Sequence, residues 1–115
     1  MEARRWSDEP VEELSSTIGR RMFHTDGTTV AWITLAQGAV VPQHDHPNEQ
    51  IATVVKGRVR FIVDGNEFVA HAGETVPLAS NVPHAVEALE DSIVLDVFSP
   101  RREDWIRGED AYLRG

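Results

Sequence analysis

A succession of short β-prone runs, from about Val11 to Pro100, is broken by turn residues roughly every eight to twelve positions. That spacing is how an all-β sandwich or barrel reads, and helical periodicity is nearly absent. Thr28 to Leu35 sets Val30, Trp32 and Thr34 against Ala31, Ile33 and Leu35, so one face can be buried while the other meets a second layer or a partner. Val59, Phe61 and Val63 alternate with Arg58 and Arg60. Asp64-Gly65 then supplies the two positive-φ positions of a tight hairpin, which returns through Glu67 to Ala70. Val82 to Leu89 and Ser92 to Phe98 are expected to form a further hairpin across Glu90-Asp91, and Pro100 ends the sheet because it has no N–H to donate. The expected organisation is one domain, with residues 1–10 a loose N-terminal segment, 11–100 the barrel, and 101–115 a C-terminal arm that forms a short helix or an irregular strap.

With 115 residues and 41% apolar content there is enough material for one core and no more. The absence of cysteine removes disulfides, thiolate metal sites and cysteine nucleophiles together, so any metal must be held by imidazole, amide or carboxylate groups. No stretch approaches the ~18 apolar residues of a membrane helix, and MEARRWSDEP carries no apolar export signal. A cytoplasmic protein with no membrane partner is expected. A formal net charge of −8 would repel a phosphate backbone, which argues against nucleic acid and for a small-molecule partner.

His44 and His46 are one residue apart, so on a strand both imidazoles point the same way while Asp45 points the other. Taken alone, the pair could be surface residues in a polar loop or a chelate. Gln50 follows a Pro47-Asn48 bend that can fold it back beside them, and an amide oxygen can serve as a third ligand. His84, after Pro83, is expected on a strand beside the first, and four such ligands leave open positions for water or substrate. His24 and His71 have no partners at ligand spacing. Three imidazoles and one amide suit nickel, zinc, iron, manganese or cobalt, and affinity order does not tell which of them a cell supplies.

Gly38, His44, His46, Gln50 and Gly57 follow the spacing of the first cupin motif, and Gly73, Pro77, Pro83 and His84 echo the second. The chain thus resembles the small single-domain cupins, and the resemblance implies an RmlC-like jelly roll, a double-stranded β-helix, with one divalent metal ion. The family's usual glutamate falls at Gln50, while Glu49 lies one place early and would face away from the histidines on a strand, so Gln50 is taken as ligand with Glu49 in reserve. Within the cupins, HDHPNEQIATVVKG and DVFSPRREDW look like the uronate-linearising cupins of pectin and alginate breakdown, the KdgF proteins, which keep glutamine as a ligand. That resemblance implies conversion of a 4,5-unsaturated uronate monomer from its ring form to the linear keto acid, with Asp96 as acid-base residue and Phe98 and Arg102 lining the pocket. A metal-dependent dioxygenase, a polyketide cyclase-like cupin and a non-catalytic binding cupin are the alternatives. Small cupins commonly pair through their sheets, which implies a homodimer.

Alternation from Ser92 puts Val94, Asp96 and Phe98 on one face of a strand. A carboxylate among apolar neighbours inside a barrel is costly without a partner or a task, so Asp96 is either satisfied by local donors or chemically active. Arg102 is either a solvated arginine in a charged tail or a two-pronged grip for a carboxylate.

Overall fold

The alternating runs become ten strands in the computed structural model, which describes residues 2–114. They are β1 (Glu12–Glu13), β2 (Ile18–His24), β3 (Thr29–Leu35), β4 (Val40–His44), β5 (Glu49–Lys56), β6 (Arg58–Val63), β7 (Asn66–His71), β8 (Thr75–Leu78), β9 (His84–Ala88) and β10 (Ser92–Ser99). A single turn of helix, α1 (Glu103–Ile106), and a 3₁₀ turn at Ala111–Leu113 follow. One sheet has the order β1-β2-β3-β10-β5-β8 and the other β4-β9-β6-β7, with every pairing antiparallel. This is the all-β barrel that the turn spacing implies, with the jelly-roll layering that the resemblance to small cupins implies. No helix among the described residues is long and apolar enough to cross a membrane.

The core lies where the two inner faces meet, and it is filled by the residues that alternation turns inward. Ala31, Ile33 and Leu35 of β3 are buried, as are Val59 and Phe61 of β6 and Val94 and Phe98 of β10. Burying a side chain such as Val59 or Phe61 contributes about 1.5–3 kcal/mol relative to leaving it exposed. The β6–β7 hairpin turns at Asp64 (φ 49°) and Gly65 (φ 80°), the two positive-φ residues a two-residue turn requires. Gly57, between β5 and β6, has φ 90°, and a Cβ there would lie 2.2 Å from Ser92 Oγ, so the link between those strands needs glycine.

The expected hairpin of Val82 to Leu89 with Ser92 to Phe98 does not form. β9 pairs with β4 and β6, whereas β10 pairs with β3 and β5 in the opposite sheet. Neither Glu90 nor Asp91 adopts the positive φ of a two-residue hairpin turn, and the chain uses them to cross from one layer to the other. The crossing seats β10 at the centre of the larger sheet, between two strands, where its inward residues are covered on both sides.

Both chain ends dock on this frame. Trp6, in a 3₁₀ turn at Trp6–Asp8, stacks with its centroid 5.8 Å from Trp32 and 5.3 Å from Phe23. Trp105 of α1 is held between two guanidiniums, Arg20 at 4.5 Å and Arg102 at 4.2 Å from its ring. Arg20, itself buried, bonds Asp110 at 2.7 Å, and Asp110 also takes Arg114. Asp110→Ala would leave Arg20 buried with only Glu12 as partner, at a cost of about 3 kcal/mol, and lower Tm by roughly 10–15 °C in a thermal melt. Bonds from Arg114 and Arg20 hold the Asp110 carboxyl below its ordinary 3.8, so this contribution is full above that pH and fades as the pH falls through the lower folded value.

Candidate metal centre

His44 closes β4 and His84 opens β9, and the two stand directly opposite in the ladder. The register slips between Val41 and His44, an irregularity that re-aims the end of β4 toward the barrel interior. His46 lies just beyond β4. Asn48 then fixes the bend before β5 by donating to the carbonyls of Pro100 (2.5 Å) and Arg101 (3.1 Å), which ties this loop to the end of β10. Gln50, second residue of β5, is turned inward and buried, while Asp45 and Glu49 are exposed. Alternation thus leaves the reserve carboxylate of Glu49 on the outside, as its position on a strand requires.

The three imidazoles converge: centroids are 4.3 Å apart for His44 and His84, 5.0 Å for His46 and His84, and 5.7 Å for His44 and His46. Each can offer one ring nitrogen such that all lie within 4.8 Å of one another. Each Nδ1 faces a nearby backbone carbonyl, Pro42 at 2.8 Å, Asn48 at 3.0 Å and Val82 at 2.9 Å respectively. A carbonyl can only accept, so each Nδ1 carries the proton and each Nε2 presents a lone pair to the centre. A carbonyl held against the other ring nitrogen in this way fixes the tautomer of metal-binding histidines.

The lone pairs then need something to bind. His84 Nε2 is buried with no hydrogen-bond partner. His46 Nε2 lies 3.1 Å from Gln50 Oε1, and the Gln50 amide is oriented by its Nε2 donating to Asp96 Oδ1 at 2.9 Å, so that contact sets acceptor against acceptor. Burial pushes His44 and His46 down to about 4, with Arg102 and His84 adding to the shift at His46, and burial lowers His84 as well. Neutral imidazoles facing an amide oxygen across a buried space repel unless a cation lies among them. The donor set of three nitrogens and one oxygen therefore fits a divalent ion on the chemistry of its own atoms.

Asp96 sits next to this group at the middle of β10, opposite Ala31 on one side and Ala52 on the other, whose small side chains leave it room. Burial raises its carboxyl to about 6 against the pull of the Gln50 bond and Arg102. Phe98 meets His46 edge-on at 5.7 Å, and Arg102 lies over the Phe98 ring at 4.7 Å. Arg102 is 1% exposed rather than solvated, and it bonds both carboxylate oxygens of Asp104 at 3.0 and 2.8 Å. His44, Gln50, His84, Asp96, Phe98 and Arg102 all border one cavity of about 60 Å³, several times the ~10–15 Å³ that a single water needs, and His46 packs against the His84 ring in its wall.

Trp105 and Tyr112 also border the cavity, though the sequence pattern does not single them out for it. Tyr112 packs on the His44 ring with centroids 4.4 Å apart. Their place depends on the Arg20–Asp110 pair, a contact across 90 residues with no local signature. His24 instead bonds Thr29 Oγ1 at 2.7 Å, and His71 is exposed beside Glu74, so neither joins the three.

A jelly roll with a convergent histidine group at one end of its inner face is the cupin arrangement, and the family model described as "Cupin domain" matches residues 31–98. The chain belongs to the cupin family. It is a homologue of the pectin degradation protein KdgF of Dickeya dadantii (strain 3937), 31% identical over 100 residues that span 84% of this chain and 91% of that one. The solved structure of KdgF from Halomonas sp. superposes with a TM-score of 0.81 at 29% identity, covering 86% of this chain and 93% of that one. An RmlC-like cupin from Shewanella frigidimarina NCIMB 400 gives a TM-score of 0.84 at 27% identity, covering 89% and 93%.

Proposed function

We propose that this protein takes a 4,5-unsaturated uronate monomer from its ring form to the linear keto acid, with His44, His46, Gln50 and His84 holding one divalent metal ion. The observation that carries the reading is the bond from Gln50 to Asp96, which places a buried, protonatable carboxyl directly behind a ligand amide. Homology to a pectin degradation protein supports a sugar-derived substrate. The metal, when bound, would polarise substrate oxygens. Asp96, raised to about 6, is poised both to give and to take a proton near neutral pH, which ring opening and ketonisation require in succession. Phe98 presents an apolar edge to one side of the cavity, and Arg102 contributes positive charge beside it. The assay is the ultraviolet absorbance of the unsaturated uronate, whose decay the metal-loaded protein accelerates; an unchanged spontaneous rate overturns the reading.

The same reading includes a homodimer formed through the outer face of the larger sheet. Phe23, Val30, Val97, Ile51 and Pro77 stand opposite one another in register and make an apolar row across five strands. Trp6 covers the Phe23 end, while Ile51 remains 47% exposed. A second copy, related by a two-fold axis, would cover the rest. Sedimentation equilibrium should return twice the chain mass, and Val97→Lys should return one chain; a monomeric native protein would contradict it.

A further inference from the structure

Tyr112 is the only tyrosine in the chain, and neither the metal ligands nor the proton-transfer step uses it. Its hydroxyl oxygen accepts hydrogen bonds from Arg102 Nη2 at 2.8 Å and from Trp105 Nε1 at 3.1 Å. Guanidinium and indole N–H groups can only donate, and a phenol oxygen has two acceptor sites and one proton. Its acceptor capacity is therefore full. The proton has to be given to another group, and no acceptor for it occurs among the described residues. The side chain borders the cavity shared by His44, Gln50, His84 and Asp96, with its ring against His44.

Arg102 adds to this corner. Its Nε and Nη2 are engaged by Asp104 and Tyr112, which leaves Nη1 without a hydrogen bond among the described residues. An O–H and an N–H, linked through the Arg102–Tyr112 bond, are thus both left to donate at one edge of the cavity. Hydrogen bonds in a chain polarise one another, so accepting two N–H groups makes the tyrosine hydroxyl a stronger donor. A guanidinium N–H, even one whose charge is shared with Asp104, bonds a carboxylate more strongly than a neutral hydroxyl.

We infer that Tyr112 binds the substrate carboxylate, its hydroxyl donating to one oxygen while Arg102 Nη1 donates to the other, an inference that rests on the uronate reading above. Tyr112 thereby selects acidic sugars over neutral ones.

The uniqueness of Tyr112 allows a test on the native protein. Zinc-loaded protein carrying ¹³Cζ-tyrosine gives one tyrosine resonance, to be titrated with galacturonate, a saturated uronate, and with galactose, the same ring lacking the carboxylate. The resonance should shift saturably with galacturonate and stay in place with galactose. Tyr112→Phe, which keeps the ring against His44, should weaken galacturonate binding by about tenfold with zinc content unchanged. Galacturonate binding that leaves the resonance in place, or that the variant matches, overturns the role of Tyr112 and leaves the uronate reading standing. A variant that loses zinc would make Tyr112 a prop for His44 and also overturns the inference. Failure of native protein to bind galacturonate overturns it as well, while the decay of the unsaturated uronate judges the activity separately.

Discussion

Asp96→Asn is expected to lower kcat on unsaturated uronate by about 10²–10⁴ while leaving metal content unchanged. Asparagine keeps the volume between Ala31 and Ala52 and can still accept the Gln50 amide bond, so the ligand stays oriented, but it has no proton to exchange. A binding module would keep its affinity in this variant and had no turnover to lose. The stability of metal-free protein should move the other way. The native carboxyl titrates at about 6 against an ordinary 3.8, so the fold favours its protonated form and loses stability as the pH rises through the folded value. Asp96→Asn removes that dependence. Its stability relative to native protein should increase between about pH 4 and 6 and level off above, by an amount on the order of 2–3 kcal/mol, read from thermal or denaturant unfolding. A flat difference across this range would mean that Asp96 is ionised in the fold.

His84→Ala has the second large effect, the loss of bound metal. Its Nε2 is the buried lone pair without a partner, and its opposite neighbour in the ladder is His44, so removal opens the centre of the group. Altering an outer partner of a metal ligand costs roughly 10–100-fold in affinity, and losing a ligand should cost more. Metal analysis after gel filtration should give about one equivalent for native protein and far less for the variant. A ligand present at a thousand times its Kd stabilises by about 4 kcal/mol, so the rise in Tm that added metal gives native protein should vanish in His84→Ala. Full metal content in the variant would place the ion elsewhere.

What could be read in the sequence was what depends on local period. The inward phase of Val94, Asp96 and Phe98 follows from two-residue alternation and the turn at Asp64-Gly65 from its residue types, and both hold in the folded chain; His44 and His46 also converge, but with His46 beyond the end of β4, so strand alternation is not what aligns them. Gln50 stands at the place of the family's usual glutamate, and alternation turns it inward where Glu49 faces out. What local period cannot give is which sheet a strand joins. Glu90-Asp91 looks like a hairpin link because it is short and polar, yet β9 and β10 belong to different layers, and it is this separation that brings His84 from one sheet and Asp96 from the other to one cavity. The charged tail leaves Arg102 open between solvent and a carboxylate grip, and gives no sign of Tyr112 at all. Their burial depends on Trp105 docking between two arginines and on Asp110 meeting Arg20, contacts that a charged C-terminal stretch does not announce.

The absorbance decay of a 4,5-unsaturated uronate, followed with metal-loaded protein, with the same protein after chelation, and with none, decides whether the protein has the proposed activity. Decay faster than the spontaneous rate in the first case, returning to that rate in the second, is the predicted result. Equal rates in all three would contradict the proposed activity.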